Sequence, residues 1–381
     1  MSSNLGDHCS IIMGQAPPGD TYSAVEGTPL IAGAGDFSEG QLRPKKFTSK
    51  PTKLSRAGDI VLSIRASIGD KVWADRQYCL GRGVAALRPG PELDASFLWH
   101  WLNHAEPSLQ AKAKGATFLQ VNRSDIAGLR IALPPLDEQR RIAAILDKAD
   151  DLRTKRRGAL AHLDALTQSI FHSMFGDPAK PGSDVRLEPI EWMASRFSDG
   201  PFGSNLKSAH YVDEGVRVVR LQNIGDGKFI NRDSAFISAD HFKTLSRHEC
   251  LPGDVLIGTL GEPNLRACVQ PNWLPRALNK ADCLQLRLDP KRGSPEYVAA
   301  LLNNQSTRRI ASGLILGQTR GRISLGRLRS MVVPIPRLEL QQMFANRVAA
   351  VERLKETHRM HLAELDALFA SLQHRAFNGE L

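Results

Sequence analysis

The chain has 381 residues, with 50 lysines and arginines against 40 aspartates and glutamates, a formal net charge of +10 at pH 7. This length exceeds one ordinary hydrophobic core and predicts two or more domains, and the basic excess favours a polyanionic partner such as nucleic acid. Five scattered cysteines without a C-x-x-C pair, no signal peptide and no long uncharged apolar run argue against a disulfide framework, a zinc cluster and a membrane protein, so we expect a cytoplasmic protein.

The first region, residues 1–133, contains short apolar and β-branched runs that are punctuated by glycine and proline, as in "DIVLSI" at 59–64. Such runs predict short strands joined by turns. The segment "ASFLWHWLNHAEPSLQAKA" at 95–113 predicts a helix, and a glycine-containing loop and another short strand follow it. A proline break, "LPPLDEQ" at 133–139, ends the region.

A long helical segment occupies residues 134–178 and carries apolar residues at a heptad-like spacing. A stripe of this kind packs one helix against another. The residues that we predict in this seam are Ile142, Leu146, Leu160, Leu163 and Ile170.

The second half repeats the same order of elements. Residues 179–335 contain the predicted strands "VRVVRLQNI" and "DVLIGTL", the predicted helix "SPEYVAALLNNQSTRRIAS" and the proline break "IPRLELQ". A second long helix is predicted at 336–381. Its seam residues are Phe344, Val348, Leu362, Leu365 and Leu372.

The two halves align at an offset of 202 residues, which places Gln139 on Gln341 and Phe175 on Phe377. With small gaps, "AGDIVLSI" also aligns with "PGDVLIGT". This is a tandem duplication that covers nearly the whole chain. A duplicated stripe offers each long helix a partner, so we predict that the two helices pair; the alternative is that each helix packs only on its own domain.

Motifs for catalysis are missing from the sequence. We find no G-x-x-x-x-G-K-[ST] phosphate loop, no H-E-x-x-H zinc motif and no G-x-S-x-G nucleophile turn. His100 and His104 are spaced i,i+4 but lack a third ligand, so no metal site is predicted. A basic, duplicated chain of this kind is better explained as a reader or adaptor than as an enzyme.

The sequence resembles the specificity (S) subunits of type I restriction–modification systems over essentially its full length. "LPPLDEQRRIAAILDKADDLRTKRRGALAHLDAL" and "AELDALFASLQHRAFNGEL" are similar to the central and C-terminal conserved helices of that family. "DGPFGSNLKSAHYVDEGVRVVRLQNIGDGKF", from Asp199, and "GQAPPGDTYSAVEGTPLIAGAGDF", from Gly14, resemble the openings of its target-recognition domains.

The resemblance implies an α+β (mixed α/β) fold of two tandem target-recognition domains, each followed by a long conserved helix that acts as a spacer. The two helices would pair as an antiparallel coiled coil with pseudo-two-fold symmetry. Each domain would read one half of a bipartite, asymmetric target in double-stranded DNA. The chain would be non-catalytic and would dock two adenine-N6 methyltransferase (modification) subunits, which ATP-dependent restriction subunits can join. The cofactors S-adenosylmethionine, ATP and Mg²⁺ are expected in those partners and none in this chain.

Contacts to DNA need lysine, arginine or backbone N–H groups for phosphates and arginine, asparagine or glutamine for base edges. In the first domain these predicted contacts are Lys45, Lys46, Lys50, Lys53, Lys112, Lys114, Thr117, Gln120, Asn122 and Arg123. In the second domain they are Ser204, Asn205, Lys207, Arg220, Gln222, Asn223, Thr319, Arg320 and Arg322.

Three alternatives stay open at this point. The first is a stand-alone basic DNA-binding protein with two recognition domains and no enzyme partner. The second is an enzyme with an unfamiliar active site, and the third is a coiled-coil scaffold whose mixed domains bind protein.

Overall fold

The computed structural model describes residues 2–115, 119–317 and 321–381. The chain divides into two compact units. Unit 1 comprises Met1–Arg157 with Met360–Leu381, and unit 2 comprises Gly158–Arg359. Both boundaries fall inside the long helices, so each unit contains one mixed domain and a part of each helix. The predicted division of the chain at residues 133, 178 and 335 stays a prediction.

The described part of the mixed domain of unit 1 contains short strands and three α-helices. Its strands are β1 (Ser2–Asn4), β2 (Cys9–Met13), β3 (Tyr22–Ser23), β4 (Thr28–Ile31), β5 (Phe37–Ser38), β6 (Gln41–Leu42), β7 (Lys46–Thr48), β8 (Ile60–Ser63), β9 (Lys71–Trp73), β10 (Cys79–Leu80), β11 (Val84–Pro89) and β12 (Arg130–Ala132). Its helices are α1 (Leu5–His8), α2 (Ala95–Ala111) and α3 (Arg123–Ala127), and the long helix α4 (Leu136–Phe175) follows.

The central sheet of unit 1 has the order β2-β11-β8-β9 and is antiparallel throughout. A second sheet has the order β10-β4-β7-β3, and β1 pairs with β12. The uninterrupted apolar run of β8 follows from burial on both faces of the central sheet. Ile60 and Leu62 face one apolar cluster and Val61 faces the other, as the two-residue period of a strand requires.

Unit 2 contains the same kinds of elements. Its strands are β13 (Arg186–Pro189), β14 (Ala194–Asp199), β15 (Tyr211–Val212), β16 (Val216–Val219), β17 (Phe236–Ile237), β18 (Glu249–Cys250), β19 (Val255–Gly258), β20 (Arg266–Val269), β21 (Ala277–Asn279), β22 (Cys283–Leu288) and β23 (Val332–Ile335). Its helices are α5 (Ala239–Thr244), α6 (Pro295–Asn303), α7 (Gln305–Ser312) and α8 (Leu325–Arg329), and the long helix α9 (Leu338–Phe377) follows.

The central sheet of unit 2 has the order β14-β22-β19-β20, which matches β2-β11-β8-β9 strand for strand. The pair β13–β23 likewise matches β1–β12, and β19 alternates between two apolar clusters as β8 does. The tandem duplication predicted from the sequence is therefore a duplication of the fold. The second sheets differ, because unit 2 has five strands in the order β15-β17-β16-β21-β18.

Two local predictions were incomplete. Short helices, α3 and α8, lie between the glycine-containing loop and the last strand of each domain, where only a strand was predicted. Asn122 and Ser324 cap them by accepting hydrogen bonds from Asp125 N and Arg327 N. The helix predicted at 294–312 is interrupted at Asn304, whose side chain accepts from Ser306 N and begins a second helix.

The G-D pair that both halves share forms a buried ion pair with an arginine on the neighbouring strand. Asp59 binds Arg88 at 2.8 and 2.7 Å, and Asp254 binds Arg287 at 2.8 and 2.9 Å. Each aspartate is only 2% exposed. Such two-pronged pairs are stronger than neutral hydrogen bonds, so each pair holds the turn before β8 or β19 against β11 or β22.

The predicted seam residues of the long helices divide into two groups. Ile142 and Leu146 of α4 are buried in the unit 1 core together with Phe369 and Ala376 of α9, while Phe344 is buried in unit 2. The remaining seven predicted seam residues are only half-buried, namely Leu160, Leu163, Ile170, Val348, Leu362, Leu365 and Leu372. Ile142, Leu146 and Phe344 therefore pack on the domain that precedes their own helix, as the alternative to helix pairing predicts.

Polar contacts join the two helices within each unit. In unit 1, Arg153 Nε lies 2.6 Å from Asp366 Oδ1 and its guanidinium stacks 4.2 Å from the Phe369 ring centre. In unit 2, Lys355 Nζ lies 3.0 Å from Asp164. The helices thus contact each other in both units, while a coiled coil with pseudo-two-fold symmetry along their full length stays a prediction.

Candidate nucleic-acid interface

The glycine-containing loop of unit 2 has its two ends joined by backbone pairing. Leu316 and Arg322 exchange hydrogen bonds of 2.8 and 2.9 Å, and Arg322 also bridges to Leu260, in the loop after β19. Gly317 adopts a φ of 94°, which favours glycine at this position. The backbone at Arg322 is therefore held by neighbours on both sides.

The loop of unit 1 repeats this construction. Lys114 and Gln120 exchange two hydrogen bonds of 3.0 Å, and Gln120 bridges to Arg65 in the loop after β8. Gly115 has a φ of 142°. The duplication thus places Gln120 and Arg322 at equivalent positions, at the ends of equivalent strands.

The side chain of Arg322 lies among aromatic and acidic neighbours. Its Nε is 3.1 Å from Asp282 Oδ1, and its guanidinium carbon is 4.7 Å from the ring centre of Phe202. A second cation, Lys280, lies two residues before Asp282 and has its Nζ 5.5 Å from the Tyr211 ring centre. Cations beside aromatic rings suit both phosphate and base contacts.

The equivalent residues of unit 1 form a polar pair. Arg65 Nε donates to Gln120 Oε1 at 2.9 Å, and both side chains are exposed. Lys114 and Arg123 are exposed beside them, and Lys112 Nζ donates to the Gly128 carbonyl at 3.3 Å. The loop region therefore presents basic and amide groups to solvent, and their contact with DNA stays a prediction.

Asn122 is exposed, and its side chain caps the N-terminus of α3. Its Oδ1 accepts from Asp125 N at 3.0 Å and from the Ser124 hydroxyl at 2.6 Å. Among the described residues, no hydrogen bond is donated by its Nδ2 group. Asn122 therefore serves first as the cap of α3.

The four predicted lysines at 45–53 are all exposed. Lys45 Nζ donates to the Gly35 carbonyl at 2.9 Å, and Lys46 lies 5.8 Å from the Tyr22 ring centre. Among the residues that the structure describes, the side chains of Lys50 and Lys53 contact no polar partner. This arrangement suits contacts with phosphates.

The prediction that Asn223 contacts DNA is wrong for this structure. Asn223 is fully buried, its Oδ1 accepts from Arg220 N at 2.9 Å, and its Nδ2 donates to the carbonyls of Ile230 and Arg232. The amide shapes the turn after β16 and has no group left for a base. Gln222 next to it is exposed, and Arg220 donates to the Asp233 carbonyl.

An open cavity of about 470 Å³ lies beside the segment "FGSNLKS", with Phe202, Asn205 and Arg329 in its lining. His248 also lines it, accepts from Arg247 Nε at 3.0 Å and donates through Nδ1 to the Asp199 carbonyl. Burial lowers the pKa of His248, which agrees with a neutral ring in this arrangement.

The other predicted contacts of this region have mixed outcomes. Asn205 and Lys207 are exposed, and only the backbone of Ser204 is described. Thr117, Thr319 and Arg320 lie outside the described residues. Three cations near the loops were not predicted from the sequence, namely Arg65, Arg266 and Lys280.

Across the described residues, no group of three or more histidine, cysteine, aspartate or glutamate side chains is arranged to hold a metal ion. Of the helices that the structure describes, none combines the length and apolar content needed to span a membrane.

Comparison with known proteins identifies relatives of both the sequence and the fold. Residues 1–161 match the family model of the type I restriction modification DNA specificity domain. A protein of Methanocaldococcus jannaschii, named as the MjaX specificity subunit of a type I restriction enzyme, is 34% identical over 164 residues, which cover 42% of this chain and 39% of that protein. The MjaVIII specificity subunit of the same organism is 21% identical over 99% of this chain and 92% of its own length.

Two solved structures share the fold over the whole chain. The S subunit of a type I restriction–modification system from M. genitalium has a TM-score of 0.57 at 16% identity and covers 99% of this chain and 96% of its own. The second comes from a structural study of complex assembly and conformational transition of the type I R-M system. It has a TM-score of 0.63 at 20% identity, and the match covers 100% of this chain and 98% of that chain. These comparisons show that residues 1–161 contain a type I restriction modification DNA specificity domain and that the whole chain has the fold of these two solved structures.

Proposed function

We propose that this chain is the DNA sequence-specificity subunit of a type I restriction–modification complex. The mixed domain of each unit reads one half of a bipartite, asymmetric target in double-stranded DNA. The chain itself performs no chemistry. Its binding decides which adenines the partner subunits methylate at N6.

One observation carries this proposal. Equivalent loops, ending at Gln120 and Arg322, stand at the same place in both units but bear different side chains. A duplicated fold whose equivalent loops carry different side chains suits a DNA target whose two halves differ in sequence. Direct readout depends on such side chains, because each base pair presents its own pattern of donors and acceptors in the major groove.

The partners follow from the same function. We propose that the chain docks two methyltransferase subunits and, through the complex, ATP-dependent restriction subunits, in the cytoplasm where host DNA lies. S-adenosylmethionine, ATP and Mg²⁺ then belong to the partners, and this chain needs none of them for binding. The full-length relative named as a type I specificity subunit supports this assignment.

The test begins with the full chain and the methyltransferase subunits of its host. We expect the proteins to co-purify and the complex to methylate one bipartite motif, with an adenine methylated in each half. Replacing residues 1–133 by the first domain of another specificity subunit should change one half of the motif only.

Two results would contradict the proposal. Tight, specific DNA binding by the chain alone, with no complex and no methylation, would favour the stand-alone DNA-binding protein. A domain replacement that changes both halves of the motif would refute the assignment of one domain to one half-site.

A further inference from the structure

Arg322 is held by several contacts within the candidate interface of unit 2. Its backbone pairs with both Leu316 and Leu260, and its guanidinium contacts the Phe202 ring and the Asp282 carboxylate. The Arg322 side chain is nevertheless 36% exposed. The side chain is thus oriented before any ligand arrives, and part of it faces solvent.

We propose that Arg322 reads a guanine in the half-site of unit 2, with Asp282 and Phe202 as its positioning residues. This inference rests on the proposed function and names the base that one reader recognises. Arginine donates two parallel hydrogen bonds to O6 and N7 of guanine, the commonest specific contact in the major groove. Asp282 lies beside Nε, so the two Nη groups are left for the base edge.

The neighbours of Arg322 favour a base over a phosphate as its ligand. Asp282 is 27% exposed and would repel an approaching phosphate, whereas the edge of a guanine carries no net charge. Prior orientation is useful where two hydrogen bonds must meet two fixed acceptors.

The equivalent residue of unit 1 is different. Gln120 has its Oε1 engaged by Arg65 at 2.9 Å, and it carries no charge. The two units therefore present different side chains to DNA at this position, a glutamine in unit 1 and an arginine in unit 2. This difference agrees with two unlike half-sites.

The test uses the full chain in complex with the methyltransferase subunits of its host. Arg322→Gln removes the fork and one charge, and Lys291→Gln is the matched control, because this exposed lysine follows the opposite end of β22. We compare methylation rates on duplexes that carry every base at each position of the motif. The half-site read by unit 2 is the half that stays unchanged when residues 1–133 are replaced.

We expect Arg322→Gln to lose discrimination at one G·C position of that half, on the order of ten- to a hundredfold. The other half should be unchanged, and Lys291→Gln should behave as the wild type. Asp282→Asn should lose discrimination at the same position, to a smaller extent. A thermal melt of each variant checks that the fold is intact.

The failures of the two proposals are distinguishable. A wild-type complex that methylates no bipartite motif would refute the proposed function. If the wild-type motif is bipartite but Arg322→Gln weakens methylation equally at all positions, Arg322 is a phosphate contact and this inference is wrong. An intact variant with an unchanged motif would equally overturn it.

Discussion

Gln341 and Ser294 are joined by a buried hydrogen bond of 3.0 Å, in which the backbone N–H of Ser294 donates to Oε1 of Gln341. Gln341 also donates to the Pro336 carbonyl at 2.8 Å. In unit 1, Gln139 accepts from Asp94 N at 2.8 Å and donates to the Pro134 carbonyl at 2.9 Å. The glutamine after each proline break therefore ties the start of a long helix to the start of the domain's own helix.

Replacing this glutamine should destabilise unit 2. Gln341→Leu leaves a buried N–H and a buried carbonyl without partners, and we expect the free energy of unfolding to fall by about 2 to 4 kcal/mol. The matched control is Gln342→Leu, the exposed neighbour on the same helix, which should change the stability by less than about 0.5 kcal/mol. Urea unfolding of both variants measures the difference, and equal effects would show that the buried amide contributes nothing.

The buried ion pair of Asp254 and Arg287 makes a second stability prediction. Asp254→Asn keeps the shape of the side chain but removes its charge from a site where Arg287 binds through two hydrogen bonds. We expect a loss of about 3 kcal/mol in the free energy of unfolding. Asp240→Asn is the control, because the side chain of Asp240 is 90% exposed. A loss below about 1 kcal/mol at Asp254 would contradict the structural role given to the G-D pair.

The order of elements could be predicted from the sequence because it rests on local patterns and on the repeat. The long helices begin and end within a few residues of the predicted limits, and "DIVLSI" and "DVLIGTL" contain β8 and β19. The helices α3 and α8 were missed because five residues are too few to show a helical period.

Contacts between residues far apart in the chain could not be predicted from the sequence. The G-D pattern was visible, but its partner arginines lie 29 and 33 residues farther along the chain. Arg65 was missed because only the bridge to Gln120 brings it beside the loop. Asn223 was predicted to contact DNA because an asparagine side chain can bind base edges. Nothing in the sequence indicated that its amide forms hydrogen bonds to the backbone of its own turn.

The stability of unit 1 should depend on the protonation of Lys71. Burial lowers the pKa of this lysine from 10.5 to about 8, although the carboxylates of Glu106, Asp70 and Asp150 oppose the shift. The ammonium group lies over the Trp99 ring at 4.8 Å and donates to Asn103. The cost of burying the charge is fully present below pH 8 and disappears as the pH rises to 10.5.

Lys71→Met isolates this cost. The free energy of unfolding of the variant relative to the wild type should fall by about 1 to 3 kcal/mol between pH 8 and pH 10.5, because only the wild type sheds a buried charge over this range. Denaturant unfolding of both proteins at the two pH values measures the change. A difference between the two proteins that stays constant with pH would show that the buried amine does not titrate as its surroundings predict.

The exposed lysines of unit 1 should contribute affinity without sequence preference. Lys50 and Lys53 suit phosphate contacts, and each such contact adds about 0.9 to the slope of log affinity against log salt concentration. Lys50→Gln with Lys53→Gln should therefore reduce the slope by up to about 2 and leave the methylated motif unchanged. The control replaces Lys180 and Lys291, two exposed lysines outside the proposed interface, and should keep the wild-type slope. If the motif changes, these lysines read bases; if the slope stays the same, they are solvated side chains that do not touch DNA.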